Sequence, residues 1–304
     1  MDMQETRPLA GVLWMLAAML VIGVIDNFVA VIAGVIGLWQ LYVLRFAIAL
    51  PLIWLMALGG MGGMRMLRPG PVALRSLFVA LAMLFYFASL AAMPIAQALA
   101  GLFTSPIFVL LITAFGLKQR IGPWRIIAVA VGFAGVVMVL GPDATGEGGF
   151  DPLMLMPVAG GFFYALGAIA TRAWCPGEST VALLLGVMGM QGLMGAAALA
   201  LLAGFGMAEA DGALSFVTRG WVWPITPVLA VLLVQAVGSV AGVYGIIKGY
   251  QLADASYIAV FEYSVMIFGP LFAWVWFGQG VSVTQGAGIA LISLAGVVIA
   301  LRSR

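Results

Sequence analysis

Three ionisable residues stand inside long apolar runs: Asp26, Arg45 and Glu262. An ionisable group in a hydrocarbon layer costs about 2.5–3.5 kcal/mol on insertion scales, so each marks a place where chemistry is worth that cost. Glu262 is the only charge in the 21 residues from Tyr257 to Phe277. Its helical neighbours Ile258, Ala259, Val265, Met266 and Gly269 cannot neutralise it. Tyr257, Phe261 and Ser264 flank it on one side and Tyr263 on the other. Two uses fit a carboxyl group in that setting. It holds a substrate amine or a proton, or it is a structural Glu bonded to a carbonyl or Tyr hydroxyl of another helix.

Asp26 and Arg45 lie nine or ten residues on either side of a turn near residues 35–36. Both therefore fall at one depth, roughly 14 Å from that turn at 1.5 Å per residue. They fit an internal ion pair. They also fit separate duties, with Arg45 on a substrate carboxylate or Asp26 on a substrate cation. The softer polar candidates are Gln97, followed by Thr104 and Ser105, and the pair Gln235 and Ser239, one helical turn apart. Tyr86, Phe87, Phe162, Phe163 and Tyr164 are aromatics able to line a cavity.

The elements around these residues follow from composition. The 304-residue chain is 64% hydrophobic and 8% charged, with a mean hydropathy of +1.19. Soluble domains carry roughly a quarter charged residues. Apolar stretches near 20 residues recur from end to end, and each spans a hydrocarbon core about 30 Å thick. The chain is read as ten transmembrane helices: 9–33, 37–58, 76–93, 95–116, 123–141, 152–173, 180–203, 222–247, 254–277 and 283–301. Gly59-Gly60, Pro94, Gly122-Pro123, Gly141-Pro142 and Pro176-Gly177 punctuate them. The first run, from Leu9 to Ile25, is longer than a signal-peptide core and follows no basic segment, so it reads as a helix that stays.

Composition also excludes. No histidine is present and Cys175 is the single cysteine, which removes Ser–His chemistry, His-ligated metals and any intrachain disulfide. One membrane aspartate does not make an aspartyl protease dyad. A net charge of +2 points away from nucleic acid. No GxxxxGK[ST] motif or cofactor-binding pattern is found. The reading is therefore not an enzyme, with no cofactor and no metal.

Basic residues set the orientation. With the N-terminus in the cytoplasm, the inner segments carry Arg7, Arg65, Arg68, Arg75, Lys118, Arg120, Arg125, Arg172, Lys248, Arg302 and Arg304, which is 11, against Arg219 alone outside. The expected topology is N-in and C-in. GFAGVVMVL at 132–140 matches SLAGVVIAL at 293–301, an offset of 161. Both segments close a five-helix unit. A tandem copy of an odd number of spans inserts upside down, which gives two inverted repeats, the architecture of many secondary transporters. The division is 1–141 for the first repeat, 142–151 for an outer linker and 152–304 for the second repeat.

SLAAMPIAQALAGLFTSPIFVLLITAFGLKQRIGPWR followed by GFAGVVMVLGP resembles the first EamA repeat of the drug/metabolite transporter superfamily. WQLYVLRFAIALPL resembles its second helix, and YQLADASYIAVFEYSVMIFGPLFAWVWFG its ninth-helix region. The resemblance implies ten helices and a carrier moving small organic metabolites across the bacterial inner membrane by alternating access, with export the common direction. This chain has Gln97, Gln119 and Gln279 where that family often has carboxylates.

The expected function is a multi-pass secondary transporter that exports an amino acid, amine or other zwitterion or cation. The aromatics around Glu262 favour a cation. Its expected partners are membrane lipid and the substrate, with protons open as the coupling ion and a monomer or dimer as the unit. A membrane channel or a sensory membrane protein without carrier activity is the alternative. The expected substrate-binding residues are Glu262, Arg45, Asp26, Gln97, Tyr257, Phe261, Tyr263, Gln235, Ser239 and Tyr86.

Overall fold

The structure is a computed structural model that describes residues 8–112, 115, 123–140, 153, 155–252 and 261–302. Among these it is helical with no strands. The helices are α1 (Pro8–Ala33), α2 (Leu38–Leu58), α3 (Pro69–Leu90), α4 (Ile95–Leu102), α5 (Ser105–Leu111), α6 (Pro123–Leu140), α7 (Leu155–Trp174), α8 (Thr180–Phe205), α9 (Ser215–Thr218), α10 (Leu229–Leu252), α11 (Val265–Phe277) and α12 (Val283–Arg302). Five long segments, in α1, α2, α3, α8 and α10, are apolar and long enough to cross a membrane, and shorter apolar helices accompany them. Their outward side chains are apolar too, as at Trp54, Leu193, Leu201 and Val237.

Three helix boundaries differ from the sequence expectation for local reasons. The third helix starts at Pro69 rather than 76, because Pro69 and Pro71 fit a first turn whose N–H groups have no partner anyway. The eighth expected helix starts at Leu229 rather than 222, because Pro224 and Pro227 cannot lie inside it. The helix expected over 95–116 is two pieces, broken at Phe103 and Thr104. Pro106 lacks the N–H that would bond the Leu102 carbonyl.

The helix expected over 254–277 is broken as well. Residues 253–260 lie outside the described residues, Phe261 and Glu262 are helical, and Tyr263 and Ser264 form a turn before α11. The two breaks share their chemistry. Thr104 Oγ1 donates to the Gly101 carbonyl at 2.7 Å, and Ser264 Oγ donates to the Phe261 carbonyl at 2.6 Å, three residues back in each case. Across the bundle the Phe103 and Tyr263 rings meet at 5.3 Å.

Packing pairs helices from opposite halves of the chain. The tightest partners are α1 with α10, α3 with α7, α2 with α8, and α6 with α12. Glycines bring the last pair into backbone contact: a Cβ on Gly135 would lie 2.6 Å from the Gly288 carbonyl oxygen, and one on Gly288 2.6 Å from that of Gly135. Close approach by small residues is how helices gain dispersion contact where lipid is as apolar as the helix.

Candidate functional site

Asp26 lies seven residues before the end of α1 and Arg45 seven after the start of α2, so both are roughly 10 Å from the connection between those helices. Both are buried, at 4% and 3% exposure. The structure gives them separate partners. Tyr86 donates its hydroxyl to Asp26 Oδ2 at 2.8 Å. The Arg45 guanidinium lies 5.0 Å from the Phe87 ring centroid, a cation–π distance. No ion pair joins Asp26 to Arg45, so the internal salt bridge allowed by their common depth is not formed. Instead Arg45 Nε and Nη1 are buried without a hydrogen-bond partner. Tyr42, Tyr86 and Phe87 form an aromatic wall beside them, with ring centroids 6.2 Å and 5.7 Å apart along the chain of contacts.

Two amides stand at the same level. Gln191 precedes Gly192, where a Cβ would lie 2.7 Å from the Phe46 ring, and Phe46 is the residue after Arg45. Gln235 is three residues before Gly238, which abuts Ile25, the residue before Asp26. Each of these polar groups points inward. The residue two positions on, about 200° around the helix, is exposed in every case: Ala47, Leu193 and Val237. Gln191 and Gln235 are 1% and 0% exposed, and neither the amide nitrogen nor the oxygen of either has a partner. Ser239 is fully buried below Gln235 and donates to its backbone carbonyl at 2.6 Å.

Sequence reasoning missed Gln191. The signal was present: from Val181 to Phe205 it is the only polar side chain in α8. A buried amide that gains no partner is costly, by about 1–3 kcal/mol, so a lone one in an apolar helix has to be explained by what it meets.

Glu262 belongs to a second level. The contacts Gly23 to Gly269, Asn27 to the Gly269 carbonyl at 3.2 Å, and Phe28 to Phe272 show that α1 and α11 run parallel. Glu262, seven residues before Gly269, is therefore roughly 10 Å from that crossing, toward the end where α1 begins. Tyr164 of α7 donates to Glu262 Oε1 at 3.3 Å. Thus Asp26 and Glu262 each accept from a Tyr hydroxyl, and for Glu262 that hydroxyl comes from another helix. Tyr263 and Phe261 flank it, Tyr263 buried and Phe261 half-buried. Gln97 is half-buried on α4, and Tyr257 lies outside the described residues.

The two ends of the bundle are tied by polar contacts. At the end where α1 begins, the Glu178 carboxylate accepts from the backbone N–H of Leu67 at 3.1 Å and of Arg68 at 2.7 Å. Ser179 bonds the Gly63 carbonyl there, and Arg75 Nε donates to Thr171 at 2.7 Å. At the opposite end Gln40 donates to the Val222 carbonyl at 2.8 Å and accepts from its N–H at 2.9 Å. Trp39 donates to Val217, and Arg219 donates to the Ala33 carbonyl and pairs with Glu209 at 2.8 Å. Among the described residues no cluster of His, Cys, Asp and Glu is placed to hold a metal.

No family model matches the chain. It is 28% identical to a riboflavin transporter of Rhizobium johnstonii over 307 residues, covering 97% of this chain and 92% of the relative. A riboflavin transporter of Vibrio cholerae is 27% identical, covering 95% and 93%. An uncharacterized transporter of Helicobacter pylori is 24% identical, covering 76% and 73%. One solved structure matches with a TM-score of 0.68 at 21% identity and 95% coverage of both chains, a likeness of fold. Along nearly its whole length the chain is similar to membrane transporters, and its apolar helices with a buried polar level agree with a multi-pass membrane transporter.

Proposed function

We propose that the protein is a carrier for riboflavin or a closely similar neutral, planar heteroaromatic solute, working by alternating access through ten spans in two inverted five-helix repeats. The observation that carries the solute class is the level formed by Arg45, Gln191 and Gln235 beside Tyr42, Tyr86 and Phe87. It offers unpaired donors and acceptors next to aromatic faces, and it presents no unpaired acid. The relatives named riboflavin transporters support the same class. An amine or zwitterion is the second reading, favoured by Asp26 and Glu262, acids buried away from the ends of the bundle.

The packing supports the inverted repeat. Exchange the halves, so that α1 replaces α7, α2 replaces α8 and α3 replaces α10. The α1–α10 pair then becomes the α7–α3 pair, while α2–α8 and α6–α12 map onto themselves. The broken helices correspond too: Phe103-Thr104 and Tyr263-Ser264 are 160 residues apart, beside the 161 of the sequence repeat. Broken helices at matching places in two halves are where carriers build their sites. We read the end with Glu178 as cytoplasmic, in line with the basic residues of its loops.

The test is flux. Purified full-length protein in liposomes is expected to carry riboflavin saturably, with amino acids failing to compete. Absence of protein-dependent riboflavin flux ends the flavin reading, and strictly non-saturating flux favours a channel.

The ties at the two ends give a further expectation. Cys175 is 5% exposed and sits beside the Glu178 tie, with burial pushing its thiol pKa up. In membranes its reaction with a maleimide should be slow. Glu178→Ala removes the tie at that end and should speed labelling about tenfold, the effect of roughly 1.4 kcal/mol on an opening equilibrium. Gln40→Ala, which loosens the far end, should slow it. Faster labelling in both variants points to general loosening and counts against alternating access.

A further inference from the structure

We propose that Gln191, Gln235 and Arg45 recognise the imide edge of the solute, the C=O, N–H, C=O face of a planar heterocycle, and that this edge sets specificity. The inference rests on the flavin reading above and specifies which part of the molecule is read. Gln191 on α8, Gln235 on α10 and Arg45 on α2 come from three helices that pack on one another. The contacts of Gly192 with Phe46 and of Gly238 with Ile25 put the three at similar heights, and the residue two positions on from each is exposed. They are at most 3% exposed, and together they leave Arg45 Nε, Arg45 Nη1 and both polar atoms of each amide without partners.

The chemistry of these groups selects the edge. A carboxamide has an N–H donor beside a carbonyl acceptor, and an imide offers the reverse pair, so the two meet through two parallel hydrogen bonds. Two carboxamides supply both acceptors and donors, while Arg45 supplies donors alone, suited to an imide carbonyl. A carboxylate or phosphate would need donors only and would leave both amide oxygens unpaired, a penalty that sites use for discrimination. A polyol chain would pair with these groups but gains little from the aromatic wall of Tyr42, Tyr86 and Phe87. A flat ring stacks on it.

Three probes separate these cases: riboflavin, N3-methylriboflavin, in which a methyl replaces the imide hydrogen, and lumichrome, which keeps the ring and imide but lacks the ribityl chain. Binding is measured on the purified full chain in detergent by flavin fluorescence, with wild type, Gln191→Leu and Gln235→Leu. Leu retains the apolar packing and removes amides that have no partner, so both variants should stay folded, which thermal unfolding checks. Wild type is expected to bind N3-methylriboflavin at least about tenfold more weakly than riboflavin, the worth of one buried hydrogen bond and the acceptor left unpaired. Lumichrome should compete with riboflavin. In at least one Leu variant the preference for riboflavin over its N3-methyl form should shrink to within about threefold, because the group that reads the N–H is gone.

Equal binding of riboflavin and its N3-methyl form by wild type overturns the inference, and so does a preference that survives in both folded variants. If riboflavin is carried saturably yet N3-methylation is ignored, this inference falls and the flavin carrier stands. If riboflavin and lumichrome bind and N3-methylation weakens binding as expected while riboflavin is not carried, the imide site stands and the riboflavin-carrier reading falls. Binding of neither flavin removes both.

Discussion

Arg45→Met is expected to lower saturable flux by at least about 100-fold while leaving the protein folded. Two hydrogen bonds from a charged donor to a buried solute, at about 1.5–3 kcal/mol each, account for that factor. Arg45→Lys should recover little of it, because an ammonium is a point donor and cannot reproduce a planar fork with Nε and Nη1 aimed at one solute edge. The stability half of the expectation comes from the arrangement of the acids. Asp26 takes its hydrogen bond from Tyr86 and forms no ion pair with Arg45. Removing the guanidinium therefore does not orphan a carboxylate, the step that makes breaking a buried pair so costly. The checks are flux in liposomes and thermal unfolding in detergent. Transport within about threefold of wild type in Arg45→Met would remove Arg45 from the site. Loss of the folded protein would show that Asp26 depends on Arg45 after all.

Gly161→Val is expected to prevent accumulation of folded protein. A Cβ at Gly161 of α7 would lie 2.5 Å from Thr104 Oγ1, 2.8 Å from the Leu102 carbonyl oxygen and 3.0 Å from the Gly101 carbonyl oxygen. Two of those neighbours are backbone at the break between α4 and α5, so no side-chain rotation relieves the contact. Overpacking of a core costs about 1–3 kcal/mol where side chains give way, and backbone collision exceeds that range. Gly23→Val should behave alike, since its Cβ would meet the Gly269 nitrogen at 2.8 Å. Gly204→Val is the control: nothing lies within 4 Å of its Cβ position, and it should fold normally. Fluorescence-detected size-exclusion chromatography of the three variants measures this directly. Normal yield and unfolding temperature for Gly161→Val would mean that α7 does not pack against the break.

Both expectations draw on positions whose residue types are plain in the sequence and whose neighbours are not. Asp26, Arg45 and Glu262 stand out because hydropathy makes a membrane acid or base conspicuous, and their depth follows from counting residues along a helix. The helices themselves follow from apolar run length, with errors at ends where Pro69, Pro71, Pro224 and Pro227 act and at the internal breaks at Phe103-Thr104 and Tyr263-Ser264. The matching segments near residues 132–140 and 293–301 are legible because a repeat is a property of order along the chain, and they underlie the proposal of two related halves.

Partner choice is a different matter. Equal depth made an Asp26–Arg45 pair reasonable, but depth does not fix azimuth, and the packing of α3 beside α1 puts Tyr86 on Asp26 and Phe87 under Arg45. Glu262 looked alone because its partner, Tyr164, is 98 residues away on another helix. Gln191 reads as one amide in an apolar helix until α8 packs against α2 and brings it level with Arg45. The sequence by itself therefore determined a helical membrane protein and made its buried ionisable side chains conspicuous. Only the tertiary structure decided which of them face one another, because the rotation of each helix about its axis is set by contacts between residues far apart in the chain.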